Sequence, residues 1–271
     1  MKTPTFPTIL RLYLNERSVS KAYEENLTAV AFRCQVISQQ AVNDYLKSRQ
    51  KKVSPLTLKI EKRMILTLWR WAYDRGYTND APRGIFSFRT ETQSTRAWTK
   101  SQVKTLLDSA KNMPGHFRCG AERSLFFDAW IRLGYETGAR FGDLWRFRYD
   151  DIEDGCIRWV MHKTGDPMYR HLSEKCLKSI EAVRKYSPDG LILGHFCKRA
   201  HAFHLYHDLC EKAGVAGTSR WLRRSGATHV EMDFPGKAKV FLGHRTHGLA
   251  EKSYIDHSQI QRESLAVPEL G

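Results

Sequence analysis

The sequence predicts a mainly helical chain with one small antiparallel β-sheet, built as a smaller helical N-terminal domain and a larger C-terminal one. Three observations carry this. Apolar residues recur at helical spacing along most of the chain, as in Leu27, Val30, Ala31, Cys34 and Ile37. One region alone is rich in β-formers on both sides of a turn: Cys156–Met161, then Lys163-Thr164-Gly165-Asp166-Pro167, then Met168–Leu172. Finally, residues 77–97 lose apolar periodicity and are rich in Arg, Thr, Ser and Gln, as an interdomain linker would be.

Residues 8–50 read as two helices joined near Asn15–Ser20. Ser54-Pro55 starts a third, because serine caps and proline suits the first helical position. Behind it Leu56, Ile60, Met64, Leu68 and Ala72 recur every four residues, with Lys59, Glu61, Lys62, Arg63 and Arg70 between them. An amphipathic helix with a mainly basic polar side is expected, ending at Gly76. Helix restarts at Trp98 with a capping box from Thr99 to Gln102 and an apolar stripe of Val103, Leu106, Leu107 and Ala110. A nearly all-apolar run, Leu125 to Tyr135, precedes Thr137-Gly138-Ala139-Arg140. After the hairpin, residues 173–186 and 197–213 read as helices, with shorter ones at 222–232, 237–242 and around Tyr254.

The 271 residues suffice for one large or two modest domains. Forty-four Lys and Arg against 29 Asp and Glu give a net charge of +15, which favours a polyanion. No apolar run approaches the ~20 residues that span a bilayer, and the start lacks the apolar core of a secretory signal. The six cysteines form no CxxC pair and read as reduced, mostly buried thiols of a cytosolic protein.

A polyanion with a backbone to cut suggests what to look for. Cleaving a phosphodiester without a metal requires a nucleophile in line, fixed cations on the non-bridging oxygens, and a proton for the leaving oxygen. Arginine suits the second task and lysine or histidine the third, while a tyrosine phenol can attack and store the bond energy as an ester. Each candidate has a plain structural reading too. Arg140 could be a cation at a helix C-terminus. Lys163 could be a solvated turn lysine. Arg220 and Arg223, three apart on one helix face, could merely touch a DNA backbone. His244 could cap a helix, and Tyr254 is one of eleven tyrosines.

The order and spacing of these pieces resemble the tyrosine recombinases, the phage integrase family. Thr137-Gly138-Ala139-Arg140-Phe141-Gly142-Asp143-Leu144 is similar to the family's first box. His162-Lys163-Thr164-Gly165 resembles its hairpin lysine, and Arg220–His229 its second box. Leu242-Gly243-His244 and Tyr254 resemble the last histidine motif and the nucleophile. Gly76–Pro82 is similar to the end of its N-terminal DNA-binding domain. The resemblance implies a core-DNA-binding domain over 1–85, a linker over 86–97, a tyrosine-recombinase-like catalytic domain over 98–257 and a tail over 258–271. It implies that Arg140 and Arg223 clamp the scissile phosphate, Lys163 protonates the 5′ oxygen, His244 hydrogen-bonds the phosphate, and Tyr254 forms a 3′-phosphotyrosyl link, with Asp143 supporting Arg140. No cofactor or metal is implied. The implied partners are double-stranded DNA, three further copies of the chain on paired sites, and accessory DNA-bending proteins, with no membrane. The implied setting is the cytoplasm, on DNA or the nucleoid, with a viral, mobile-element or host origin left open. By analogy with family architecture, the tail is expected to pack on a neighbouring protomer.

Three features depart from the family pattern. Arg220 stands where the family has histidine or lysine, and arginine cannot act as a base at neutral pH. The stretch from Thr228 to His244 is shorter than usual. Tyr254 lies ten residues after His244, one more than the pattern, and Gly248 is expected to absorb the extra residue in a loop. Arg220 and the Tyr254 spacing leave open a catalytically impaired DNA-binding protein, and a type IB topoisomerase-like enzyme, which shares the nucleophile and the cation cluster, is a further reading. A zinc site from Cys197, His201, His204, His207 and Cys210 is set aside, because these residues fan around half a helix. Trp69-Arg70-Trp71-Ala72-Tyr73 reads as core with a basic rim rather than a base-stacking platform.

Overall fold

The computed structural model describes residues 4–89, 94–244 and 247–260. The middle of the expected linker, residues 90–93, and the expected packing of residues 261–271 lie outside them. The chain divides into two compact units, residues 1–93 and 94–271.

The first unit is helical: α1 (Phe6–Glu16), α2 (Lys21–Arg33), α3 (Gln39–Gln50) and α4 (Pro55–Asp74). Each begins with a hydroxyl cap, from Thr5, Ser20, Ser38 and Ser54, accepting a first-turn backbone N–H. Where two helices were expected over residues 8–50 there are three. The chain is pulled out of helix after Arg33, because Gln35 O accepts from Phe6 N at 2.8 Å and Ser38 then caps a new helix.

In α4 the every-four row proves too simple. Leu56 and Ile60 are 66% and 37% exposed, whereas Leu58, Glu61 and Ile65 face the core. A step of four residues overshoots a helical turn by about 40°, so a strict row drifts off the buried face. Trp69 and Trp71 are buried and Arg70 is exposed, a core with a charged rim. The buried Glu61 carboxylate accepts from Arg49 Nη2 at 2.6 Å and Tyr45 Oη at 2.9 Å, with Arg33 beside it. Ile85, Phe86 and Phe88 also pack on this core, and Asn43 Oδ1 accepts from Phe86 N at 2.7 Å.

The second unit opens with α5 (Lys100–Lys111), where the Thr99–Gln102 capping box is formed on both sides. Then follow α6 (Arg123–Thr137), α7 (Phe141–Leu144) and a 3₁₀ turn, Tyr149–Asp151. The strands are β1 (Ile152–Glu153), β2 (Cys156–Val160) and β3 (Pro167–His171), and the remaining helices α8 (Glu174–Arg184), α9 (Arg199–Lys212), α10 (Arg220–Asp233), α11 (Ala238–Leu242) and α12 (His247–Ser253).

α6 is the axis of this unit. Phe126, Phe127, Trp130, Ile131 and Leu133 are fully buried, and α5, α8 and α10 pack around it. The sheet is antiparallel in the order β1-β2-β3, with Ile157 opposite Arg170 and Trp159 opposite Met168. β1 extends the expected hairpin. It turns into β2 through Asp154 (φ 49°) and Gly155 (φ 72°), the Asp-Gly pair that a tight turn with two left-handed residues favours. All six cysteines are free, four of them buried, and Cys119 is exposed.

Candidate active site

Gly138 closes α6 in the left-handed region (φ 57°), and a Cβ there would lie 2.4 Å from the Phe241 ring. That turn throws Arg140 to the N-cap position of α7 rather than leaving it at the C-terminus of α6. The reading of Arg140 as a dipole-capping cation therefore fails. Its side chain is half-buried, with Nη1 3.0 Å from Met161 Sδ.

Arg223 is the deepest of the cations, at 4% exposure. Its guanidinium donates to Gly138 O and, at 2.9 Å, to Leu242 O. These carbonyls sit at the C-terminal ends of α6 and α11, where helix dipoles place partial negative charge. Burial pulls the Arg223 pKa down to about 10, with the neighbouring Tyr254 opposing and Arg140 reinforcing, so it stays cationic at neutral pH. None of the salt bridges among the described residues reaches Arg140 or Arg223.

His244 follows Gly243, whose φ of 63° and approach to Met168 Sδ, 2.5 Å from any added Cβ, exclude a side chain. The imidazole is buried, and its Nε2 lies 3.4 Å from Arg223 Nη2. Burial first, then Arg223 and Arg140, push its pKa down to about 4. A guanidinium only donates, so Nε2 must be the acceptor and the proton must sit on Nδ1.

Tyr254 is the first residue after α12. Its ring centroid is 5.0 Å from the Arg223 guanidinium and 4.9 Å from the His244 ring. Gly248 lies inside α12, so the extra residue between His244 and Tyr254 is not absorbed in a loop at that glycine.

Lys163 is exposed in the turn joining β2 to β3. The turn is anchored by Asp143, whose Oδ1 accepts from His162 N at 2.9 Å. Asp143 thus supports the lysine hairpin rather than Arg140, the expected beneficiary. Its Oδ2 is buried and has no hydrogen-bond partner among the described residues.

Arg140, Lys163, Arg220, Arg223 and Tyr254 line one cavity of about 640 Å³. Trp130, Phe141 and Phe203 form part of its apolar wall. Of the six candidates only His244 is not among the lining residues; it stands against Arg223 and Tyr254. A larger cavity of about 860 Å³, lined by Arg118, Arg123, Trp145, His195 and Lys198 among others, contains no tyrosine and so cannot carry this chemistry.

Sequence reading missed Arg170. It donates from the sheet to Val240 O at 2.8 Å and to Phe241 O, and stacks 5.3 Å from the Phe241 ring, tying the lysine hairpin to the helix before His244. An arginine on a short strand carries no signal of such a role. Among the described residues, His207 alone of the five weighed for zinc joins a compact donor group, with Asp208 and Glu211, their ligand atoms within 4.8 Å of one another.

A phenol held against fixed cations equips an enzyme for phosphoryl transfer through a tyrosine ester. The comparisons agree. The model of the phage integrase family matches residues 96–260. A lambda integrase dimer bound to a COC' core site is similar at a TM-score of 0.76 and 15% identity, covering 97% of this chain and 81% of that one. The Tn1549 transposon integrase with circular intermediate DNA gives 0.71 at 14% identity, covering 92% and 95%. XerH recombinase in a post-cleavage complex with difH gives 0.72 at 12% identity, covering 94% and 82%. No curated protein sequence matches the chain significantly. The chain belongs to the phage integrase family, and is a site-specific recombinase of the tyrosine type. Among the described residues no helix is long and apolar enough to cross a membrane.

Proposed function

We propose that this recombinase binds double-stranded DNA and cuts one strand at a time by attack of Tyr254 Oη on a phosphorus. A 3′-phosphotyrosyl bond forms as the bond to the 5′ oxygen breaks, and Lys163 gives that oxygen its proton. Arg140 and Arg223 hold the non-bridging oxygens, and His244 braces Arg223 by accepting from its guanidinium through Nε2. Rejoining is the reverse, with a 5′ hydroxyl attacking the ester. The observation that carries this reading is the convergence of Arg140, Lys163, Arg220, Arg223 and Tyr254 on one cavity.

Arg220 adds positive charge at the mouth and takes no proton, since a guanidinium stays charged. The phenol's proton therefore leaves to solvent or to the departing strand's surroundings. Strand exchange by four copies on paired sites fits the likeness to a lambda integrase tetramer bound to a Holliday junction, at a TM-score of 0.77 and 15% identity. The cations do the work of a metal, so the proposed reaction needs none.

The test is covalent trapping on a nicked duplex selected for binding from a random pool. Wild type should form an adduct that survives denaturation, with or without EDTA, and Tyr254→Phe should form none. A wild type that binds the duplex tightly yet never links to it would leave a DNA-binding protein on a recombinase scaffold. An adduct lost with EDTA would place a metal in the reaction.

A further inference from the structure

Just after the boundary between the units, the chain entering the second is bonded to the segment that carries Tyr254. Thr95 Oγ1 donates to Lys252 O at 3.2 Å, before the tyrosine. Ala97 N donates to Asp256 Oδ2 at 2.9 Å, and Ala97 O accepts from Gln259 Nε2 at 2.8 Å. Both segments also rest on α10, the helix of Arg220 and Arg223. Trp98 N donates to Ser225 Oγ at 2.9 Å, and Asp256 N donates to Thr228 Oγ1, also at 2.9 Å. The Thr228 hydroxyl in turn faces Tyr254 O at 3.4 Å. Ser225 and Thr228 are three apart, so one face of α10 holds both segments.

Asp256 is the centre of this arrangement. It is only 7% exposed, yet no salt bridge among the described residues reaches it. Instead Oδ1 accepts from Ser258 N at 3.1 Å and Ser258 Oγ at 2.6 Å, while Oδ2 accepts from Ala97 N and, at 3.1 Å, from Gln259 Nε2. Burial alone would raise its pKa, but these donors outweigh it and hold the carboxyl below its ordinary range. Burying a carboxylate costs far more than burying an apolar side chain unless its acceptor sites are filled. Here they are filled by two separate stretches of chain, which the carboxylate thereby fastens together.

We infer that Asp256, with Gln259, is a positioning residue that fixes Tyr254 against Arg223 by latching the nucleophile segment to the chain entering the catalytic unit. The inference rests on the proposed role of Tyr254. The neighbouring α12 is a helix of under two turns, so it cannot by itself hold the tyrosine rigidly. Catalysis by positioning is sensitive to small displacements, and a nucleophile freed by 1 Å can lose about 10²-fold in rate.

The experiment uses the full chain and the nicked duplex above. Single-turnover adduct formation at saturating protein is compared with DNA affinity and thermal stability for Asp256→Ala, Asp256→Asn and Gln259→Ala. Asp256→Ala should cleave roughly 10- to 100-fold more slowly with its affinity unchanged within about twofold. Asp256→Asn should fall between it and wild type, because an asparagine can accept on one side only. Hydrogen exchange at the Ala97 amide should quicken in Asp256→Ala while amides in the middle of α6 stay protected. A merely structural role would instead lower affinity and stability together with the rate. If Asp256→Ala does not fold, Asp256→Asn and Gln259→Ala carry the test. Variants that fold, bind and cleave at the wild-type rate overturn the latch alone. A wild type that forms no adduct overturns the nucleophile reading and the latch with it.

Discussion

Each unit of this protein holds an arginine against its core, Arg49 half-buried and Arg223 buried, and the two do so in opposite ways. In the first, Arg49 meets a carboxylate: Glu61 accepts from it twice, at 2.6 and 3.0 Å, with Tyr45 and Arg33 completing the shell. Burial pushes the Glu61 carboxyl up, but Arg49 and Tyr45 outweigh it and keep it below its ordinary range. In the second unit Arg223 is buried against two helix-end carbonyls and a neutral histidine. Asp143 acts on it only through space. The first cluster is closed, with its charge cancelled within the fold. The second is open, and an anion from outside is what would cancel it. That difference marks a site more clearly than the number of cations does.

The largest effect expected from this contrast concerns Arg223 itself. Arg223→Met should cut the rate of covalent adduct formation roughly 10²- to 10³-fold, on the scale of losing a transition-state donor in a buried site. It should nonetheless leave thermal stability unchanged or higher, because an apolar residue of similar volume replaces an uncancelled buried charge. A sharp drop in melting temperature would mean that the carbonyls of Gly138 and Leu242 already neutralise the arginine, and the contrast between the units would fail.

Glu61→Ala tests the closed side. Removing it takes the charge-assisted hydrogen bonds from the half-buried Arg49 and Tyr45, which should cost about 1.5–3 kcal/mol. Chemical denaturation should show this loss in the first unit. A loss under about 1 kcal/mol would mean that water reaches the cluster and the charges are not closed off.

How far each side was legible in the sequence follows from the same physics. The helices with hydroxyl caps and the Thr99–Gln102 box were legible because caps are local, with donor and acceptor three residues apart. Arg140, Lys163, Arg223 and Tyr254 stood out through the short patterns around them. Glu61 did not: it was read among the polar residues of a basic helix side, since nothing local tells a carboxylate that a partner from α3 will bury it. The role of Asp143 was likewise misassigned. Its partner, the His162 amide, is nineteen residues away. The links from Arg170 to Val240 and from Ala97 to Asp256 span 70 and 159 residues. Such contacts are set by tertiary packing, and no periodicity records them.

His244 offers a smaller effect with a definite sign. Its folded pKa of about 4 lies below the ordinary 6.5, so between these values the unfolded chain binds the extra proton and the folded one does not. Stability should therefore fall as pH drops from about 6.5 towards 4, by up to about 3 kcal/mol from this residue. His195 and His229, both also pushed down by burial, add in the same direction. Urea unfolding of wild type and His244→Asn at stepped pH should show a shallower slope for the variant over this window. Equal slopes would mean that His244 is free to protonate beside Arg223, and that the open cluster tolerates more charge than its geometry suggests.

The smallest effect decides which side Asp143 belongs to. If it acts as Glu61 does, neutralising cations, then its charge matters and Asp143→Asn should be as harmful as Asp143→Ala. If it acts as a scaffold, what matters is the acceptor for His162 N. An asparagine oxygen can still accept that bond, so Asp143→Asn should keep adduct formation within about threefold of wild type. Asp143→Ala would release the Lys163 turn and cost about 1–2 kcal/mol, roughly tenfold in rate, for the lost hydrogen bond. The geometry favours the scaffold, because one oxygen is spent on the hairpin amide and the other contacts no cation among the described residues at hydrogen-bonding distance. Rates for the two variants that coincide would move Asp143 into the electrostatics of the cluster, and would make the second unit a little less open than the first is closed.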